Sequence, residues 1–71
     1  MEVARRAIRA IRAGVRILER HPQAGRIAGE KHPEMREWVI EFGQGAYVVL
    51  YRIAEDRVVI LAVRHNREAG D

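Results

Sequence analysis

The sequence predicts an α+β fold: one N-terminal helix packed on a three-stranded antiparallel β-meander, in a single domain spanning residues 1–71. Three observations predict it. Apolar residues recur at helical spacing over residues 3–20, the period drops to two from Met35 onward, and two turn signals divide the second half into three strand-length runs.

In the helix, Ala4, Ile8, Ile11, Val15 and Leu18 step by four and three, and Val3, Ala7, Ala10, Gly14 and Ile17 form a second stripe beside them. Together the stripes cover close to half the circumference, wider than packing on one sheet face requires. Something besides the helix's own sheet is therefore expected to cover the second stripe. The opposite face carries Arg5, Arg9, Arg12 and Arg16 at the same spacing. Such a row is the solvated side of an amphipathic helix or a groove for acidic residues or phosphates. Pro22 lacks an N–H and pushes its predecessor out of the helical region, so the helix should stop near Arg20 or His21.

Residues 22–34, PQAGRIAGEKHPE, read as a polar surface connection. The strands follow at about 36–42, 46–53 and 58–65. In the first, Trp38, Ile40 and Phe42 alternate with Glu37, Val39 and Glu41, which turns the aromatic face inward. Gly43-Gln44-Gly45 and Ala54-Glu55-Asp56-Arg57 supply the turns. The second and third strands are apolar at nearly every position, so both of their faces are expected to be at least partly covered.

Composition limits what such a domain can be. At 71 residues a single core yields only a few kcal/mol unless a disulfide, a metal or a partner helps. There is no cysteine, which excludes disulfides and thiolate metal sites and leaves a partner as the expected helper. The net charge is only +3, but six arginines fall within residues 5–20 against one acid, Glu19, and a basic face of this kind suits an acidic protein or a nucleic acid. No apolar run is long enough to cross a membrane, and arginines occupy the place of a signal peptide's apolar region, so a cytoplasmic protein without membrane contact is expected.

No P-loop, dinucleotide fingerprint, HExxH or GxSxG motif occurs, and His21, His32 and His65 lack metal-ligand spacing, so neither a metal nor a cofactor is expected. One cluster with chemical potential remains, Arg64, His65, Arg67 and Glu68, where the last strand runs out. Cleaving RNA without a metal needs a base, an acid and cations for the charged phosphorane, and these residue types suit it. Tyr47, Tyr51 and Arg52 on the neighbouring strand could add donors or a stacking surface for a base. The plain alternative is a solvated strand end, with an exposed Arg–Glu pair worth roughly 0–1 kcal/mol.

Five blocks in order, HPQAGR (21–26), REWVI (36–40), YVVLYR (47–52), VILAVRH (59–65) and REAG (67–70), resemble the RelE/ParE superfamily of type II toxin–antitoxin toxins, also described as plasmid stabilisation proteins. The similarity runs from about residue 3 to the C-terminus. Members usually open with a strand and a first helix that have no counterpart here, so the resemblance implies a shortened fold in which the helix over 3–20 matches the family's second helix. It also implies that the last strand is an open sheet edge, able to recruit a second copy or an antitoxin.

Two activities are known in the superfamily. RelE-type members cut mRNA on the ribosome, with lysines on the first meander strand and an arginine just after the second strand's leading tyrosine. Those positions here are Glu37, Val39 and Val48. What survives is Arg67, near the family's C-terminal arginine, and His65 for a variant that uses histidine. ParE-type members lack that set and poison DNA gyrase, and this sequence resembles them more closely. The resemblance therefore implies a gyrase-directed toxin neutralised by an acidic, partly helical antitoxin, with Arg52, Arg64, Arg67, Glu68 and the helix residues Arg5, Arg9, Arg12 and Arg16 as contacts. Two alternatives stand beside it. One is a ribosome-dependent endoribonuclease using His65 and Arg67; the other is a non-toxic remnant that binds an antitoxin, or forms a homo-oligomer through the open edge or the helix face.

Overall fold

The computed structural model describes residues 2–67. Its elements are α1 (Glu2–Arg20), β1 (Arg26–Ile27), β2 (Met35–Phe42), β3 (Gly45–Ala54) and β4 (Arg57–Arg67). The strands form one antiparallel sheet in the order β1-β2-β3-β4, so the predicted meander is present with one strand more than expected. The additional β1 is two residues long, pairing Arg26 with Glu37 and Ile27 with Arg36. Two residues cannot display an alternation, which is why the sequence reads there only as surface connection.

Helix α1 ends as Pro22 requires. The His21 amide donates to Ile17 O at 2.8 Å, the Ala24 amide closes a turn on His21 O at 2.9 Å, and Arg20 places a positive charge at the negative end of the helix dipole. The face turned to the sheet carries Ala7, Gly14 and Leu18, all buried, with Ala10 packed against the core. The inward line is thus mostly the second stripe, reversing the expectation that this stripe needs an outside cover. Ile8 and Ile17, on opposite flanks, remain about half exposed. Small residues dominate the inward line because the helix lies close to the sheet. A Cβ on Gly14 would stand 2.4 Å from Ile40 Cδ1, and Trp38 Nε1 donates to Gly14 O at 3.1 Å.

The core between helix and sheet is Leu18, Ile40, Val49 and Tyr51, flanked by Trp38, Tyr47, Ile53 and Val58. On β3 the residues facing the helix are the odd-numbered ones, and Val49 and Tyr51 are fully buried. Both hairpins are two-residue loops. Gly43 has φ +61° in the first, whereas in the second Glu55 (50°) and Asp56 (69°) both take left-handed backbone, the pattern of a type I′ turn.

Strand β4 is a sheet edge among the described residues, as the resemblance implies, but the exposure of its apolar side chains departs from expectation. It is the outer strand, and Ile60, Leu61 and Val63 are 40–42% exposed. Its continuous apolar run reads as at least partly covered on both faces, but an edge strand has a neighbour on one side only. A register shift between Leu50 and Tyr51 pairs these with Ala62 and Ile60, leaving Leu61 as the extra residue of a β-bulge.

Candidate functional site

The register assigns each residue to a sheet face, since directly paired residues share a face. The helix side holds Arg36, Trp38, Ile40 and Phe42 of β2, Tyr47, Val49, Tyr51 and Ile53 of β3, and Val58, Ile60, Val63 and His65 of β4. The open side holds Glu37, Val39 and Glu41, then Val48, Leu50 and Arg52, then Arg57, Val59, Ala62 and Arg64.

Glu37 lies at the centre of the open face. Its Oε1 accepts from Arg26 Nε at 3.3 Å and Nη2 at 3.2 Å, and its Oε2 is 3.7 Å from Arg64 Nη2. Glu37 and Arg64 are on strands two apart, about 10 Å at ordinary strand spacing. The arginine side chain must therefore lie across β3 to reach the carboxylate. Val48, register partner of both Val39 and Arg64, is buried on this otherwise open side. The arginine side chains are 77% and 70% exposed against 16% for Glu37, so each pair is solvent-screened and contributes at most about 1 kcal/mol. Their effect is on charge: the carboxylate is matched by two cations, and Arg52 and Glu41 stand exposed nearby.

The C-terminal cluster does not converge. His65 faces the helix side and packs its ring against Tyr47, centroids 4.9 Å apart, while Tyr47 also meets Phe42 at 5.9 Å. Arg64 and Arg52 lie on the opposite face, so neither can act on an atom that His65 touches. Arg67 holds the ladder position opposite Gly45, and only its backbone position is described. Glu68 lies outside the described residues. Tyr51 is not the stacking surface the sequence suggested. It is fully buried, its hydroxyl donates to Pro22 O at 2.6 Å, and it accepts from the Gly25 amide at 2.9 Å.

That tyrosine explains the block 21–26. Gly25 is buried, and the position requires glycine because a Cβ there would fall 2.6 Å from both Glu37 O and Tyr51 Oη. Arg36 adds a bond from Nη1 to Gly25 O at 2.7 Å and a longer one to Gln23 O at 3.4 Å. These contacts hold β1 against β2 and so bring Arg26 beside Glu37. Sequence reading missed the clamp of Arg26, Glu37 and Arg64 because the three are 11 and 27 residues apart in the chain, joined only by strand register. The helix residues Arg5, Arg9, Arg12 and Arg16 are all exposed. Among the described residues no group of three His, Asp or Glu side chains is placed to hold a metal ion, and no helix is long and apolar enough to cross a membrane.

The family described as the ParE toxin of type II toxin–antitoxin systems, parDE, matches residues 2–70. Toxin RelE3 of Caulobacter vibrioides is 40% identical over 65 residues, covering 92% of this chain and 67% of the relative. No solved structure matches the chain. A match over nearly every residue, on a fold with the helix and meander the resemblance implied, places this chain in the ParE toxin family of type II toxin–antitoxin systems, within the RelE/ParE superfamily.

Proposed function

We propose that this toxin acts by binding a protein target, DNA gyrase, and not by cutting RNA. It is held inactive by a cognate antitoxin, the partner that a toxin of a type II system implies. One observation carries the reading. The positions that the superfamily's ribonucleases fill with cations are Glu37, Val39 and Val48, gathered on the open face, and Glu37 is already matched by Arg26 and Arg64. At those three positions a phosphorane meets no cation, and a phosphodiester beside Glu37 would meet a carboxylate. His65, the remaining base or acid, lies on the other side of the sheet. The exposed arginines of α1, with Arg52 and Arg64, suit carboxylate-rich protein surfaces, where guanidinium groups bind in a bidentate manner.

The test uses purified protein in two assays side by side. Added to gyrase, it should inhibit supercoiling, and added to ribosomes carrying mRNA, it should leave the transcript whole. Codon-position cuts in the mRNA together with unaltered gyrase would reverse the assignment.

A further inference from the structure

We infer that the outward face of α1 is a docking site for the sugar-phosphate backbone of duplex DNA, held by Arg5, Arg9, Arg12 and Arg16. The site goes beyond the protein target proposed above and is tested without it. All four arginines are exposed, on the side of the helix opposite the buried Ala7, Gly14 and Leu18. Four and three residues apart, they form one row about 16 Å long at the ordinary rise of a helix.

The row differs from the arginines of the sheet in being uncommitted. Arg26 and Arg64 share Glu37, and Arg36 donates to Gly25 O, whereas among the described residues the four helix arginines make no ion pair or hydrogen bond. The one acid of residues 5–20, Glu19, lines a cleft with Arg57 and Val58. A row that no carboxylate neutralises keeps its field for a ligand. Nor is it a face for apolar side chains to cover, since burying an unpaired guanidinium costs more than the packing returns.

A guanidinium takes phosphate as readily as carboxylate, so its surroundings decide between them. Along the outward line stand Arg5, Arg9, Arg12, Ala13, Arg16 and Arg20, all exposed, with no large apolar side chain among them. Ile8 and Ile17 lie on the flanks. A protein interface has an apolar centre from which charge is depleted, with arginine as an anchor or at the margin. The open sheet face has that anatomy, with Val39, Leu50 and Ala62 lying among Arg52, Arg57 and Arg64. The helix row has the charge without the centre, which is the anatomy of a phosphate-backbone contact. Helix and sheet lie between the two faces, so a single flat partner meets only one of them. The protein target is therefore assigned to the sheet face and the polyanion to the helix. A duplex strand carries a phosphate about every 3.4 Å of axis, so the row passes about five of them. Helix α1 has no aromatic side chain on which the bases of a single strand could stack.

The test measures binding of the full chain to a labelled DNA duplex of about 20 base pairs by anisotropy, between about 50 and 200 mM salt. The logarithm of the affinity should fall with the logarithm of salt at a slope of about −3 to −4, as for four neutralised phosphates. Arg9→Gln with Arg12→Gln should reduce that slope by about 2 and weaken binding at least about tenfold, and lysine at both positions should retain it. Glutamine and lysine are good helix formers, so α1 persists in both variants. Arg52→Gln with Arg64→Gln removes the same charge from the opposite face and should change the slope by less than about 1. A flat salt dependence, or equal losses in the helix and sheet variants, which marks net charge alone, would overturn the inference. So would tighter binding to duplex RNA, or to a poly-glutamate matched in charge number, which marks a protein contact. No gyrase is present, so failure here is told apart from failure of the proposed target.

Discussion

Replacing Tyr51 by Phe removes one oxygen from the centre of the molecule and tests how the loop after the helix is held. That oxygen donates to Pro22 O and accepts from the Gly25 amide, at 2.6 and 2.9 Å, and the side chain is fully buried. The ring remains, so apolar packing is unchanged. The loss lies in the polar groups: the Gly25 amide, confined beneath the loop, is left without its acceptor, at a cost of about 1–3 kcal/mol, and the Pro22 carbonyl loses a bond worth about 1 kcal/mol net. The sum, roughly 2–4 kcal/mol, is a large share of the ~4–10 kcal/mol expected for a domain of this size at usual per-residue stability. Urea unfolding followed by Trp38 fluorescence and by circular dichroism should show a lower midpoint with the same slope. The melting temperature should fall by at least about 8 °C, given ~4–8 °C per kcal/mol in small domains. Tyr47→Phe, whose hydroxyl has no such pair of partners among the described residues, should change stability by less than about 0.5 kcal/mol. Equal midpoints for Tyr51→Phe and the parent would refute the anchoring role.

Other substitutions probe other joints of the fold. Gly14→Ala gains up to about 1 kcal/mol of helix propensity but overpacks Ile40 at a cost of ~1–3 kcal/mol, so a net loss is expected in thermal melts. Adding Ile40→Val, which removes the nearest atom, should recover part of it. Changing Glu55→Asn and Asp56→Gly together relieves left-handed backbone at two residues and should stabilise by about 1 kcal/mol in urea titrations. Arg36→Met removes a part-buried bond to Gly25 O and an exposed, longer one to Gln23 O. It should therefore cost about 1 kcal/mol, less than Tyr51→Phe, and speed amide exchange at Ala24 and Gly25.

The helix and the three longer strands were legible because period and turn chemistry are local properties of a chain. Which helical stripe faces the sheet was not. Ala7, Ala10 and Gly14 are less apolar than Ile8 and Ile11, yet close approach to Ile40 and Trp38 selects small residues for the inner line. The exposure of Ile60, Leu61 and Val63 was hidden for a related reason, since apolarity along a strand does not say whether a neighbour lies on both sides. The candidate site was half legible. Opposite faces for Arg64 and His65 follow from alternation, whereas the meeting of Arg26, Arg64 and Glu37 depends on a register carried across three strand pairs.

The proposed mode of action, binding a protein target without cutting RNA, can be read in cells by inducing the parent chain and the His65→Ala, Arg67→Ala double variant and following transcript ends and DNA supercoiling together. A protein-binding toxin should arrest growth with intact transcripts and disturbed supercoiling in the parent, and transcripts should stay intact in the variant as well. Transcripts cut in the parent and whole in the variant, with supercoiling normal in both, would contradict it.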